Sequence, residues 1–188
     1  MMGFAIQECE GLLDREQCSH LIESYGHDMA RSTVLDPSTR SRAISDNRLS
    51  TSKKIERKSL RQDIRSLLSM GLQTATGAAE ERFEPFELVH YNVGERFTRH
   101  YDWFDTAFDI KNQRTHSVIV YLCDVPRGGE TYFPFLGRSI TPKLGKLIVW
   151  NNTQNGQVLR AALHESRAVE DGEKWVLVTW VREGGFDG

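Results

Sequence analysis

The sequence predicts a mainly β domain with flanking helices (α+β), an antiparallel sandwich or barrel with two helices packed outside it. Three observations carry this reading. After Gly77 the chain becomes short runs rich in Val, Ile, Tyr, Phe and Trp, broken at brief intervals by turn residues. Before Gly77, two stretches place apolar residues at helical spacing. The 188 residues, 39% hydrophobic and 10% aromatic, suit one globular domain with its own core rather than a disordered or fibrous chain.

In chain order, Phe4-Ala5-Ile6 reads as a short strand and residues 15–25 as a helix. Asp14 is the expected N-cap, with Gln17 three residues on completing a capping box, and Cys18, Leu21, Ile22 and Tyr25 recur at helical spacing. Residues 28–52 are polar and irregular, with Asp36-Pro37 marking a turn, which is the make-up of a functional loop or lid. A second helix is expected over about 53–72, with Leu60, Ile64, Leu67 and Leu68 on its apolar side. Its other side carries Lys53, Lys54, Arg57, Lys58, Arg61 and Arg65. That side reads either as a surface for an anionic partner or as a solvated face, and the offsetting charge elsewhere favours the second. Strands are expected at 86–92, 97–103, 116–124, 139–141, 146–151 and 173–182, separated by Asn92-Val93-Gly94, Pro126 to Gly129, Pro142 to Gly145, and Asp171-Gly172. With no repeat or low-complexity tract, a single domain is expected over 1–188, with 1–80 as helical support and loop and 84–183 as the β core.

Composition narrows the function classes. Lys and Arg number 24 against 26 Asp and Glu, a formal charge of −2, so a broad nucleic-acid surface is not expected. Cys9, Cys18 and Cys123 form neither a metal-binding spacing nor a disulfide framework, which suits a reducing compartment. No apolar run approaches the roughly 20 residues a membrane helix needs. The opening Met1-Met2-Gly3-Phe4 lacks the regions of a signal peptide, so a cytoplasmic protein is expected, with no membrane partner.

The sharpest chemical feature is His100-Tyr101-Asp102. On a strand, residues i and i+2 share a face, so an imidazole and a carboxylate are offered to one metal ion. A surface histidine and a turn aspartate give the same spacing, so a third ligand decides. His20 and His27 lie in the N-terminal helical region, His90 points away from Tyr91, and His116 opens a strand. His164, in Ala161-Ala162-Leu163-His164-Glu165-Ser166, approaches the last strand. Two histidines and one carboxylate match the facial triad of non-haem Fe(II) oxygenases, and a zinc hydrolase uses similar donors. On the last strand Lys174, Val176, Val178 and Trp180 share one face. A lysine among apolar residues either meets an anion or sits at the strand mouth and reaches water.

These residues, with others in order, resemble the prolyl 4-hydroxylase family of Fe(II)- and 2-oxoglutarate-dependent dioxygenases. The matching motifs are Tyr91 to Asp102, Gly128-Gly129-Glu130-Thr131-Tyr132-Phe133-Pro134, Pro142-Lys143-Leu144-Gly145 leading to Trp150-Asn151, and His164 with Lys174-Trp175 ten residues later, ending in Trp180-Val181. The match covers about 84–183, with a looser likeness before it through Arg31 to Val34 and Arg48-Leu49-Ser50-Thr51. Each motif alone is weak; their order and spacing are specific. The resemblance implies a double-stranded β-helix (jelly roll) with N-terminal helices packed outside. It implies that His100, Asp102 and His164 are the catalytic Fe(II) ligands and that Lys174 pairs with the distal carboxylate of 2-oxoglutarate, beside Tyr91 and Thr131. Arg114, Arg48 and Trp180 fall on the substrate side, with Glu84 a weaker candidate. Fe(II), 2-oxoglutarate and O₂ are the implied cofactor and cosubstrates, with ascorbate as expected reductant.

The implied reaction hydroxylates an unactivated C–H, releasing succinate and CO₂, with a peptidyl proline as substrate. The alternatives are the same chemistry on a free amino acid or small metabolite, and a non-catalytic jelly-roll binding module, which the full set of metal ligands disfavours. Phe97 stands where many relatives have tyrosine, and Arg48-Leu49-Ser50 departs from their Arg-Thr-Ser pattern. Both changes bear on the substrate rather than on the iron. Asp102 is retained, which disfavours the halogenating relatives. Residues 28–52 and about 105–115 are the expected lids.

Overall fold

The computed structural model describes residues 3–36, 41–104 and 112–186. The chain opens with β1 (Ile6–Cys9), α1 (Arg15–Tyr25), β2 (Ala30–Arg31), β3 (Val34–Asp36), β4 (Ser41–Ala43) and β5 (Thr51–Ile55). A 3-10 turn over Arg57–Ser59 leads into α2 (Gln62–Thr76). Then follow β6 (Phe86–Tyr91), β7 (Phe97–His100), β8 (Arg114–Tyr121), β9 (Arg127–Gly128), β10 (Thr131–Phe133), β11 (Arg138–Ile140) and β12 (Leu147–Asn151). The chain ends with β13 (Thr153–Gln154), β14 (Gln157–Val158), β15 (His164–Ser166), β16 (Val169–Asp171) and β17 (Lys174–Arg182).

Two antiparallel sheets face each other as a double-stranded β-helix. The larger has the order β1-β12-β8-β17-β6-β5-β2 and the smaller β11-β10-β15-β7. Alternation on the central strands builds two cores. On β17, Trp175, Leu177 and Val181 join Leu88, Val118, Val120, Leu147 and Val149 against the helices, where Cys18, Leu21, Ile64, Leu68 and Leu72 are buried. Val176 points the other way, with Val89, Tyr91, Tyr121, Ile148 and Trp150, toward Phe133 and Ile140 of the smaller sheet. Burial on both faces explains why β17 reads as a nearly continuous apolar run.

The capping box forms as expected. Asp14 accepts from the Gln17 amide at 2.8 Å, and the Gln17 side chain accepts from the Asp14 amide at 3.0 Å. The second helix corrects its expected start. Residues 51–55 are not helical but form β5, paired with β6 from Thr51 opposite His90 to Ile55 opposite Phe86. Long-range sheet pairing overrides the helix preference of Lys53 and Lys54. The basic residues therefore lie on a strand, a 3-10 turn and a helix rather than on one face, and Arg61 is committed to Glu16 and Asp63. Residues 28–52 are likewise less irregular than expected, holding β2 to β4 and the start of β5. Pro37 of the expected turn, and 105–111 of the second expected lid, lie outside the described residues. The three-residue strands β10 and β15 went unpredicted because so short a run shows no alternation. Among the described residues no helix is long and apolar enough to cross a membrane.

Candidate active site

His100 and His164 are direct cross-strand partners on β7 and β15, so the sheet register itself brings their rings together, with centroids 4.2 Å apart. Asp102 lies in the bend just past β7. Its Oδ1 is 3.6 Å from His100 Nε2 and its Oδ2 is 3.6 Å from His164 Nε2. One donor atom from each residue lies within 4.8 Å of the other two.

Neighbouring groups fix how these donors point. His100 Nδ1 lies 2.7 Å from the Thr98 carbonyl and His164 Nδ1 lies 2.9 Å from the Ala162 carbonyl. A carbonyl only accepts, so each Nδ1 carries the proton and each Nε2 keeps its lone pair for a metal. Asp102 Oδ2 accepts from the Ser117 hydroxyl at 2.5 Å, and that hydroxyl accepts from the Asn152 amide at 2.8 Å. Burial, together with the neighbouring His164, holds the His100 imidazole well below its ordinary pKa. Burial alone pushes Asp102 up, but His164, His100, Arg114 and the Ser117 hydrogen bond outweigh it and keep the carboxyl below the usual range. At neutral pH His100 is neutral and Asp102 anionic. Two imidazole nitrogens and one carboxylate on one face fit a divalent iron with adjacent positions left for other ligands.

The cavity behind the triad answers the question of Lys174. It does not reach water at the strand mouth: it is 2% exposed, opposite Tyr91 in the β17–β6 register. Its Nζ donates to Ser166 Oγ at 2.8 Å and lies 5.1 Å from the centre of the Tyr91 ring. Among the described residues it forms no ion pair, and burial pushes its pKa down to about 7. Thr131 shares a 2.7 Å hydrogen bond with the Tyr121 hydroxyl and lines the same cavity. Val89, Ile119, Val176 and Val178 supply apolar walls between Lys174 and the triad. A small molecule that chelates the metal at one end and presents a carboxylate at the other satisfies both ends, as 2-oxoglutarate does. A zinc hydrolase leaves this lysine without a task.

Arg48, Phe97 and Trp180 line both this cavity and an outer groove that passes Thr33 to Leu35, Arg42, Asn47 and Thr98 to Phe104. The two arginines expected on the substrate side both line this groove, and each is already paired. Arg114 donates twice to Glu84, at 2.6 and 2.7 Å, and its guanidinium lies 3.6 Å from the centre of the Trp180 ring. Arg182 donates to the same carboxylate at 2.7 Å, which makes Glu84 an anchor of the groove wall. Arg48 donates to Glu87 at 3.0 Å and to the Thr33 carbonyl at 3.2 Å. His90 stacks on Trp175 on the helix-facing side, away from the triad.

Sequence reasoning missed Ser117, Asn152, Glu87 and Ser166. Glu87 had a signal, an acid inside the apolar run Phe86-Glu87-Leu88-Val89. Ser166 had one too, two residues past His164 and so on the same face. Ser117 and Asn152 had none, because only the β8–β12 pairing brings them to Asp102.

The model of the 2OG-Fe(II) oxygenase superfamily matches residues 86–182, more than half of the chain. Among curated proteins, "Probable prolyl 4-hydroxylase 10" of Arabidopsis thaliana is 30% identical over 195 residues, covering 90% of this chain and 66% of that protein. The chain thus spans just under two thirds of that relative's length. Among solved structures, the viral collagen prolyl hydroxylase of Paramecium Bursaria Chlorella virus-1, in its 2OG complex, superposes with a TM-score of 0.74 at 22% identity, covering 94% of this chain and 95% of that one. A Trichoplax adhaerens prolyl hydroxylase in complex with a peptide fragment gives 0.64 at 15% identity, over 95% and 83%. The chain belongs to the 2OG-Fe(II) oxygenase superfamily, and the curated relatives it resembles along most of its length are prolyl 4-hydroxylases.

Proposed function

We propose that the protein hydroxylates a prolyl residue of a peptide, using Fe(II), 2-oxoglutarate and O₂. The observation that carries this is one cavity with the two-histidine, one-aspartate triad at one end and, at the other, a buried lysine that forms no ion pair among the described residues. His100, Asp102 and His164 would hold the iron, and Lys174, Ser166, Tyr91 and Thr131 would receive the far carboxylate. When bound, iron and 2-oxoglutarate together supply the oxidation that places one oxygen atom of O₂ on the substrate C–H and the other in succinate as CO₂ leaves.

The chain's own contribution is positioning and exclusion of water. Lys174 makes a charge-assisted contact that is strong because the surrounding walls are apolar. Trp180, Phe97 and the paired arginines shape the groove through which the target C–H approaches. The open outer groove supports a peptide over a free amino acid, and so do the names of the curated relatives. Ascorbate as the reductant of stray ferric iron, and a cytoplasmic setting in keeping with three free cysteines, complete the proposal.

The test is incubation with Fe(II), ascorbate and labelled 2-oxoglutarate, following succinate with a proline-containing peptide and, separately, with free proline. A mass gain of one oxygen on the peptide is the expected result. Oxidation of free proline alone would assign the small-molecule reading. Absence of turnover with every substrate would remove the oxygenase assignment.

A further inference from the structure

Phe97 stands beside an irregularity in the sheet. β15 and β7 pair His164 with His100 and then Ser166 with Phe97, so a two-residue step on one strand faces a three-residue step on the other. The extra residue on β7 is a β-bulge, which bends a strand and re-aims its side chains. In a regular strand residues 97 and 100 would project from opposite faces. Here the bulge turns Phe97 onto the face of His100, and the two rings lie nearly parallel, 3.6 Å between centroids and 13° between planes.

A guanidinium attends the same ring. The guanidinium carbon of Arg48 lies 5.1 Å from the phenyl centre, and a backbone bridge joins Arg48 to Phe97. Arg48 Nε is buried without a hydrogen-bond acceptor among the described residues. The electron-rich ring face is what the guanidinium meets there.

We infer that Phe97 is a positioning residue of the metal centre, one that sets the plane of the His100 imidazole and favours the positive charge this ring gains when it ligates a metal. The inference rests on the proposed metal site. An imidazole that gives electron density to a divalent cation becomes electron-poor, and the negative face of a phenyl ring attracts positive charge stacked over it. Leucine fills most of the same space with no such face, whereas tyrosine keeps it.

Co(II) is the probe, because its visible absorption reports both occupancy and ligand geometry without turnover. Wild type, F97L and F97Y are titrated with Co(II) in the absence of 2-oxoglutarate, and the thermal midpoint of each metal-free protein is recorded. F97Y should bind within about twofold of wild type, whereas F97L should bind about five- to tenfold more weakly with an altered absorption band. F97M serves the same contrast if F97L does not fold. Equal affinity and an unchanged band in F97L would overturn the role. So would an equal loss in F97Y, which would make residue 97 ordinary packing. A wild type that takes up no Co(II) is a different result, because it removes the metal site itself and the inference with it.

Discussion

The inner cavity and the outer groove both contain buried cations, yet the two regions treat them in opposite ways. Lys174, in the inner cavity, has a hydroxyl for company and no ion pair among the described residues. Arg48 and Arg114, at the groove, each rest on a buried glutamate. A buried charge without a counter-ion is costly unless a ligand supplies one, whereas a paired charge is already balanced. Under the proposed function Lys174 would therefore mark a ligand subsite, and the arginines would mark walls whose shape and remaining surface meet the substrate. The regions differ in construction as well. The inner cavity hangs from β6, β8 and β17, whose register is continuous along most of their length. The groove is bordered by the three-residue strands β3 and β4 and by the bend after β7.

The most damaging way to break this contrast is to remove a metal donor. His100→Ala or His164→Ala should lower succinate formation more than about a hundredfold, since losing a ligand exceeds the cost of losing one of its supports. The fold should remain, and the measurement is coupled versus uncoupled 2-oxoglutarate consumption beside circular dichroism. Turnover within a fewfold of wild type would show that the triad does not hold the working metal.

Lys174→Met comes next. It should raise the 2-oxoglutarate KM about a hundredfold, the scale expected on removing one partner of a buried charge pair, while Co(II) binding stays near the wild-type value. The pH dependence has a definite sign. The Lys174 pKa is about 7 in the ligand-free fold, pushed down by burial, against about 10.4 in an unfolded chain. Between those values the unfolded chain holds more protons, so this group makes the ligand-free protein more stable as pH rises through the window. Below pH 7 both states are protonated and the full burial cost is present. The methionine variant should therefore exceed wild type in stability most clearly below pH 7, with the gap closing toward pH 10. Affinity for 2-oxoglutarate should run the other way, falling as pH rises past 7, because the carboxylate needs the ammonium. A dissociation constant flat from pH 6 to 9 in wild type would reject an ionic role for this lysine.

The same contrast decides what could be read from the sequence. His100, Asp102, Lys174, Val176, Val178 and Trp180 lie on or beside strands, where alternation assigns faces directly, so most of the inner cavity was legible. Residue 97 was not. Its chemical departure was visible, but a one-residue bulge reversed its side. The helix expected from residue 53 failed for a similar reason, because pairing with β6 is a long-range contact that local propensity does not register. Arg48 and Arg114 both line the outer groove, but their glutamate partners lie 39 and 30 residues away in sequence, beyond any local pattern.

Ser117→Ala tests whether support of the inner site is as rigid as its strands suggest. The hydroxyl joins Asn152 to Asp102 Oδ2. Its removal frees the carboxylate to rotate and leaves the Asn152 amide without its acceptor. Co(II) affinity should fall about tenfold, at the lower end for outer partners of metal ligands, with 2-oxoglutarate and substrate KM little changed once metal saturates. Unchanged Co(II) affinity would mean that Asp102 is held by the fold alone.

The gentlest change probes the groove alone. Glu87→Gln keeps the shape of the side chain and an oxygen for Arg48 to reach, but removes the charge that balances the guanidinium. Burial tends to push the Glu87 carboxyl up, yet Arg48, helped by Ser52, Arg42 and Arg114, holds it below its ordinary value. Its contribution is therefore present above the unfolded pKa of about 4.5 and is lost as pH falls through the lower folded value. The variant should lose about 1–3 kcal/mol of stability at neutral pH, the scale of a hydrogen bond to a charged group. It should also show a shallower decline in acid than wild type. Because Arg48 also holds the Thr33 carbonyl and stands beside Phe97, a loosened guanidinium should reach the substrate before the metal, with a fewfold rise in peptide KM and Co(II) affinity within about twofold. If Co(II) affinity fell as far as peptide binding, groove and cavity would be one mechanical unit, and the division between a ligand subsite and a structural wall would have to be redrawn at Phe97.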